Sequence, residues 1–187
     1  VIHKDFSFTA RQIAVSRNGG VPLDTSMVEM ASRKVAEEAD KLIIGTTASY
    51  SYGGGTVYGL MNYPGRLTKV LTAPSAWGAT GPKVFIDELL AMRQQSTDNN
   101  MYGPWVVLVS PFWDTYLDSD YSAAGAMGPI TLRQRALQVN GITGIITVDY
   151  LPLKTILLVQ LTSDVIQLIN GMDITTLQWE TNGGMEI

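Results

Sequence analysis

The chain has 187 residues, a length that suits one hydrophobic core or two lobes that share one. Hydrophobic residues make up 45% of it and charged residues only 16%, whereas a soluble domain usually has a charged share of about 25%. The net charge of −4 and the absence of a Lys/Arg run exclude the electrostatic pattern of a nucleic-acid or anionic-membrane binder. The lack of cysteine excludes disulfides and thiolate metal sites, and no apolar run approaches the roughly 20 residues that cross a bilayer. We therefore expect no membrane partner, and we expect part of the apolar surface to contact other subunits.

The first 17 residues begin with the alternating pattern of a strand. Ile2, Lys4, Phe6 and Phe8 alternate with more polar residues, and this period of two predicts an extended ribbon over residues 1–17 with one apolar edge. No return strand follows, although a strand needs a neighbour for its backbone groups. We expect that neighbour in another subunit or in preceding residues, because the sequence begins without Met and is interpreted as a piece of a longer protein.

The stretch from Ser26 to Ile44 has the clearest helical pattern in the chain. Its apolar residues recur at three- and four-residue spacing, while the charged residues fall largely on other faces. Ser26 and Glu29 have capping-box spacing, and Gly45 is placed to end the helix in the left-handed conformation. We expect the narrow apolar stripe to pack along a sheet. The stripe consists of Val28, Ala31, Val35, Ala39 and Leu42.

Residues 46–81 are rich in Thr, Ser, Tyr and Gly, which predicts a long and mostly irregular segment. The glycines at 53–55 do not follow a predicted strand, and the Lys-hydroxyl order of a phosphate loop is missing, so phosphate binding is not favoured. The segment is interpreted as a flexible loop. It is expected to close onto a small apolar and aromatic set, Tyr58, Leu60, Met61 and Tyr63.

From Pro82 onward the pattern mixes helices with short strands. Helices are predicted after Pro82, over residues 111–120 and over Pro129–Val139. The continuous apolar run Trp105–Val109 predicts a strand that is buried on both faces. Short β-branched runs predict four further strands, Thr143–Val148, Thr155–Leu161, Asp164–Ile169 and Ile174–Trp179. The order of ribbon, long helix and mixed sheet with helices indicates an α+β protein rather than a regular βαβ series.

Three stretches, in this order, resemble the encapsulin and tailed-phage major capsid proteins of the Hong Kong 97 fold. The first, LDTSMVEMASRKVAEEADKLIIG, is similar to the family's spine helix and ends at Gly45. The second, YGPWVVLVSPFWDTYL, is similar to a buried strand of the axial domain that is followed by Ser110, Pro111 and a helix. The third, VQLTSDVIQLINGMDITTLQWE, is similar to the closing strands.

This resemblance implies a Hong Kong 97-like capsid fold of the α+β class, with an extended loop, a peripheral domain and a mixed-sheet axial domain. Residues 1–20 would form half of the extended loop. Residues 21–81 would form the peripheral domain, with the spine helix and a Gly/Tyr-rich linker. Residues 82–150 would form the axial domain, and residues 151–187 would be closing strands that return to the peripheral domain.

Side chains suited to catalysis or metal binding are sparse. His3 is the only histidine and lies on the predicted ribbon, so neither a Ser-His-Asp triad nor a paired-imidazole metal site is expected. Asp114, Asp118 and Asp120 cluster, and three carboxylates can bind a hard cation, but no calcium-loop glycine follows, so a solvated helix end is favoured. The tryptophans are expected in the core, at Trp77, Trp105, Trp113 and Trp179. The sequence therefore assigns no catalytic residue, cofactor or metal.

Contacts between subunits are the candidate functional sites that the resemblance implies. On this view the extended loop lies over a neighbouring subunit, and carboxylates of the spine helix pair with arginines of a neighbour's loop. The predicted interface residues are Lys4, Phe6, Phe8, Arg11, Arg17, Glu37 and Glu38.

The function implied by the resemblance is that of a structural shell protein without catalysis, a major capsid protein that self-assembles into an icosahedral viral capsid. Its partners would be copies of itself and packaged DNA bound without sequence specificity, in a virion assembled in the host cytoplasm. An encapsulin compartment in the bacterial cytoplasm, with a protein cargo, is the alternative. A third interpretation, from another class, is a small enzyme or ligand-binding domain, with residues 46–63 as a lid and Asp114 and Asp118 as acid and base.

Overall fold

The computed structural model describes residues 2–19, 22–47, 49–71, 81–121, 130–168, 171 and 173–179. Within these ranges the helices are α1 (Ala10–Arg17), α2 (Ser26–Ile44), α3 (Gly81–Asp98), α4 (Asp114–Leu117) and α5 (Leu132–Leu137), with a 3-10 helix at Pro111–Trp113. The strands are β1 (Tyr50–Tyr52), β2 (Gly55–Val57), β3 (Trp105–Val109), β4 (Ile142–Thr147) and β5 (Ile156–Gln160). This mixture confirms the predicted α+β class.

The chain divides into two compact units. The first unit combines residues 1–43 with residues 169–187, and the second unit is residues 44–168. All five described strands belong to the second unit. The sheet predicted to lie along α2 therefore stays a prediction, because the described residues of the first unit contain no strand.

The predicted ribbon over residues 1–17 is wrong in its second half, because residues 10–17 form α1. The cause is a capping box that starts the helix and that the alternating pattern does not reveal. The Thr9 hydroxyl oxygen accepts a hydrogen bond from the Gln12 N–H at 3.3 Å, and Gln12 Oε1 accepts one from the Thr9 N–H at 2.9 Å. Residues 2–8 carry no regular secondary structure, so only this part is compatible with an extended arm.

The helix α2 has the predicted bounds, and its predicted apolar stripe is buried or half-buried along its whole length. Its start differs from the prediction. Ser26 is the first helical residue, and its N–H donates to Asp24 Oδ1 at 2.9 Å. This hydrogen bond lowers the pKa of the Asp24 carboxyl, so an acidic side chain outside the helix caps it rather than the hydroxyl of Ser26.

Gly45 ends α2 as predicted, with φ of +85°. The helix terminus is held by the following loop, because the Met61 N–H donates to the Ile44 carbonyl at 2.9 Å. A Cβ at Gly45 would lie 3.0 Å from Met61 N and 3.1 Å from Asn62 N. Glycine is therefore required twice here, for the backbone conformation and for the close approach of the loop.

The loop after α2 is more regular than predicted. Strands β1 and β2 form an antiparallel hairpin in which Tyr50 opposes Val57, and Gly53 and Gly54 supply the two positive φ angles of its turn. The prediction of a mostly irregular segment is wrong over residues 50–57, because the glycines that suggested flexibility specify a tight turn.

In the described part of the second unit, three strands form a sheet with the order β4-β3-β5. The central strand β3 is parallel to β4 and antiparallel to β5, which confirms the predicted strands at 105–109, 143–148 and 155–161 to within one or two residues. The prediction that β3 is buried on both faces is correct for one face. Trp105, Val107 and Val109 are buried, whereas Val106 and Leu108 on the opposite face are only half-buried.

The strands predicted at Asp164–Ile169 and Ile174–Trp179 are wrong within the described residues, which have no strand beyond β5. The first of them is replaced by a turn, in which the N–H groups of Val165 and Ile166 both donate to the Thr162 carbonyl. The Thr162 side chain also hydrogen-bonds the Asp164 carboxyl and lowers its pKa. A β-branched composition alone does not make a strand when the preceding residues favour a turn.

The core of the second unit lies on the face of the sheet that carries Val107 and Val109. Helices α3 and α5 and the short helices after β3 cover it, and the Phe85 ring lies 5.2 Å from that of Trp113. Its buried members are Phe85, Ile86, Leu89, Val107, Val109, Trp113, Leu117, Leu132, Ala136, Val139 and Ile142. α5 occupies only part of the predicted helix Pro129–Val139, since it begins after the cap residue Thr131.

The tryptophans lie in different environments. Trp105 and Trp113 are buried as predicted, whereas Trp179 is 56% exposed and Trp77 lies outside the described residues. In the described part of the chain, no helix combines the length and the apolar character needed to cross a membrane.

We predict that Gly45→Ala lowers the free energy of unfolding by about 1–3 kcal/mol, because the new methyl group would meet strained backbone and the backbone of Met61. Gly144→Ala in β4 is the matched control. Nothing lies within 4 Å of its added Cβ, so we expect a change below about 1 kcal/mol. Urea unfolding of both variants measures the difference, and equal midpoints would contradict the role given to Gly45.

Candidate functional site

The best-defined polar cluster in the second unit joins two carboxylates, one guanidinium and one hydroxyl. Arg133 Nη2 donates to Asp114 Oδ1 at 2.6 Å, and Arg133 Nε donates to Asp118 Oδ1 at 3.1 Å. The Thr147 hydroxyl donates to the same Asp114 oxygen at 3.0 Å. A single arginine therefore ties both ends of α4 to α5.

Buried neighbours hold this cluster in place. Asp114 directly follows Trp113, Asp118 directly follows Leu117, and Arg133 directly follows Leu132, and these three apolar neighbours are fully buried. The start of α5 is fixed by a capping box between Thr131 and Gln134. The core thus determines where the charged side chains meet at the surface.

The charges of the cluster suit a structural role for its carboxylates better than a role in proton transfer. The hydrogen bonds from Arg133 and Thr147 lower the pKa of the Asp114 carboxyl. An aspartate held anionic by an arginine is a poor general acid, and Asp118 is bound to the same arginine. The helix end is solvated as expected, since the Asp114 and Asp118 side chains are 51% and 67% exposed, and it is also ion-paired. Among the described residues, no group of three or more His, Cys, Asp or Glu is arranged to hold a metal ion.

An open groove of about 790 Å³ lies elsewhere in the second unit and follows strand β5. Its walls come from residues 65–71, the C-terminal half of α3 and the turn at Val165 and Ile166. Asp114 and Asp118 do not line it, although Leu60 and Met61 do. The described structure therefore does not bring the proposed acid and base together with this groove.

The predicted interface residues near the N-terminus are accessible. Lys4, Arg11 and Arg17 are exposed. Phe6 and Phe8 are half-buried, and their rings meet edge to face at a centroid distance of 5.9 Å. Phe6 and Phe8 therefore present a small aromatic patch on the arm that precedes α1.

The two predicted carboxylates on α2 already have partners within their own helix. Glu37 pairs with Arg33 at 3.2 Å and with Lys34 at 2.6 Å, and Glu38 pairs with Lys41 at 2.6 Å. The hydrogen bond from Lys34 lowers the pKa of the Glu37 carboxyl. A pairing of Glu37 or Glu38 with a neighbour's arginine stays a prediction, and it would have to compete with these contacts.

The chain exposes more large apolar side chains than its sequence pattern predicts. Exposed fractions reach 89% for Val70 and 75% for Leu153. The only early signal was the low share of charged residues. Other strongly exposed apolar side chains are Met30, Tyr102, Leu168 and Leu177. These side chains are candidates for contacts with other subunits.

The chain shares sequence similarity with known proteins. Residues 1–180 match the model of a family of unknown function, DUF6260. The chain is also 30% identical over 136 residues to the type 1 encapsulin shell protein EncA of Myxococcus xanthus. This alignment covers 73% of the chain and 44% of the relative, so the chain spans less than half the length of the protein it resembles.

We predict that Asp114→Asn destabilises the fold near neutral pH, and that this loss disappears in acid. The folded-state pKa of Asp114 lies below its ordinary value of 3.8, so its contribution is present above that value and is lost as the pH falls through the folded-state pKa. Urea midpoints of the wild type and the variant, at about pH 7 and in steps below about pH 4, measure this. Asp149→Asn on an exposed turn is the control, and equal midpoints for the two variants at neutral pH would refute the role of the cluster.

Proposed function

We propose that this chain, which belongs to the DUF6260 family, is a structural shell protein whose copies self-assemble into a closed container. The observation that carries the proposal is the 30% identity over 136 residues to an encapsulin shell protein. The exposed apolar side chains of both units support it, because a shell subunit buries much of its surface against its neighbours.

The fold that goes with this proposal is the Hong Kong 97-like capsid fold. Its support is the long helix α2, followed by a mixed sheet with helices on one face. The grouping of residues 169–187 with residues 1–43 supports an arrangement in which the chain returns to its N-terminal lobe. On this proposal the extended-loop region is residues 1–20, with α1 as its helical part. The peripheral domain is 21–81, the axial domain 82–150 and the closing segment 151–187.

Two kinds of container fit the proposal. The resemblance noted in the sequence includes viral capsids that enclose DNA, which is the first choice. The similarity to an encapsulin shell protein favours the alternative, a compartment that encloses a protein cargo. The net charge of −4 suits either one, since neither requires sequence-specific nucleic-acid binding. The corresponding locations are the virion and the bacterial cytoplasm.

A role without catalysis also fits the described polar groups. Asp114 and Asp118, which an enzyme would use as acid and base, are engaged by one arginine and lie outside the groove. The similarity to a shell protein supports the same conclusion. The small-enzyme interpretation therefore has weaker support than the shell.

We propose the aromatic pair Phe6 and Phe8 as the anchor of an arm that lies over a neighbouring subunit. Their contact keeps two apolar rings together on a segment without regular structure. On this proposal the surrounding interface comprises Lys4, Arg11, Arg17, Glu37 and Glu38, and its cations pair with carboxylates of the neighbour's α2.

The complete gene product, expressed alone, is predicted to form closed particles of megadalton size. Electron microscopy and sedimentation measure the particles, and analysis of co-purified material separates the two containers. Packaged nucleic acid would indicate a capsid, and a defined protein cargo would indicate a compartment. A stable monomer that binds a metabolite would contradict the shell proposal and favour the enzyme.

Replacing both rings, Phe6→Ser with Phe8→Ser, is predicted to reduce particle yield from the complete protein at least about tenfold, since loss of an apolar interface anchor costs more than about 1.4 kcal/mol. Ser7→Ala, which lies between them and changes no ring, should leave the yield unchanged. Normal particles from the double variant would remove these residues from the proposed interface.

A further inference from the structure

The strand β5 has a free outer edge in the described sheet, because the order of strands is β4-β3-β5. The Ser110 N–H donates to the Thr155 carbonyl at 3.1 Å, which fixes the alternation of the antiparallel ladder. Leu157 and Val159 therefore direct their N–H and C=O groups toward β3. The corresponding groups of Ile156 and Leu158 point away from the sheet.

The pairing on the other side of β3 supports this assignment. The Val148 N–H donates to the Val109 carbonyl at 2.9 Å. The backbone groups of the odd-numbered residues of β3 therefore hydrogen-bond to β4, and those of the even-numbered residues hydrogen-bond to β5. Val109 opposes Ile156, and Val107 opposes Leu158. The outward amides of Ile156 and Leu158 thus form a ready template for one more strand.

The groove along this edge is apolar and positively charged. Every residue of β5 lines it, and Leu71 and Met92 add apolar side chains from its walls. Among the described residues that line it, the charged ones are Arg66, Lys69 and Lys154, and none is Asp or Glu. In a chain with a net charge of −4, such a groove suits an extended segment that is apolar and acidic.

The chain itself contains a segment with these properties. Residues 173–179 are all exposed, with fractions of 58% for Ile174, 70% for Leu177 and 56% for Trp179. The sequence contains no Lys or Arg after Lys154, whereas acidic residues occur within and around this segment. Its β-branched composition favours a strand, yet it forms none among the described residues.

The N-terminal arm is a weaker candidate for the groove. Residues 2–8 carry one lysine, one aspartate and one histidine, and so bring no net negative charge to a basic groove. Their two rings also contact each other already. The charge of the groove thus favours the C-terminal segment.

We propose that residues 173–179 of a second copy of this chain add as a strand to the outer edge of β5. The backbone of the incoming segment pairs with Ile156 and Leu158, Leu177 and Trp179 enter the apolar groove, and the flanking carboxylates approach Lys69 and Lys154. Seven extended residues span about 23 Å and five about 17 Å, so the segment covers the whole edge. The contact goes beyond the shell proposal, since two copies are enough to form it.

Isotope-resolved cross-linking tests the contact directly. An equal mixture of unlabelled and ¹⁵N-labelled chains is treated with a carbodiimide, which joins a lysine amine to a carboxylate. We expect links from Lys69 or Lys154 to Asp173 or Glu180 in which one peptide is labelled and the other is not. Absence of these links, or links only between equally labelled peptides, would overturn the proposal, as would links to Asp5 in their place.

Amide hydrogen exchange provides a second readout with an internal control. The outward amides of Ile156 and Leu158 should exchange more slowly as protein concentration rises. The inward amides of Leu157 and Val159 should stay protected at every concentration, because β3 already binds them. No concentration dependence at the outward amides would also overturn the proposal.

Matched variants separate this contact from general loss of structure. Leu177→Ser with Trp179→Ser, on a fully exposed segment, should abolish the mixed-label links, and Lys69→Glu should weaken them. Lys83→Glu, on the exposed side of α3, makes the same charge change outside the groove and should have no effect. The shell proposal is judged by particles of the complete protein and this contact by the links, so either one can fail alone.

Discussion

The burial of Trp113 against the sheet is the interaction on which the second unit depends. Trp113 is the last residue of the 3-10 helix and directly precedes α4. Its ring lies 5.2 Å from the Phe85 ring of α3 and 5.4 Å from the Phe112 ring. Truncation of a buried aromatic side chain typically costs about 3–5 kcal/mol, a large part of the stability of a small domain. The helices after β3 take their positions from this contact, and so do the polar groups that follow them.

The surface differs between the helical face that covers this core and the β5 edge of the sheet. On the helical face, the residues next to the buried ones carry charges that pair with each other, as Asp114 and Arg133 do. At the other end of the sheet, β5 has no covering strand among the described residues, and a basic apolar groove follows its edge. The subunit thus pairs its own polar groups on one side and leaves an unpaired strand edge on another, as far as the described residues show. Such a subunit is suited to association with copies of itself.

Predictions from the sequence failed where local hydrogen bonds competed with the pattern. The period of two over the first residues predicted a ribbon, but the Thr9–Gln12 capping box starts a helix. The glycines at 53–55 suggested flexibility, but Gly53 and Gly54 form the turn of a hairpin whose second strand begins at Gly55. A β-branched run near Val165 became a turn because Thr162 accepts its N–H groups. Each error comes from a side chain or carbonyl that offers the backbone a different partner.

The sequence by itself determined the long helix α2, the central strand β3 and the α+β class, because periodicity over many residues and a continuous apolar run depend little on context. It also carried the resemblance to shell proteins. Only the tertiary structure decided that Arg133 joins Asp114 to Asp118 across 19 and 15 positions of sequence. It also decided that β5 lies at the edge of the sheet that the described residues form. These features depend on which elements pack together, and the free energy of that packing comes from contacts between residues that are distant in the chain.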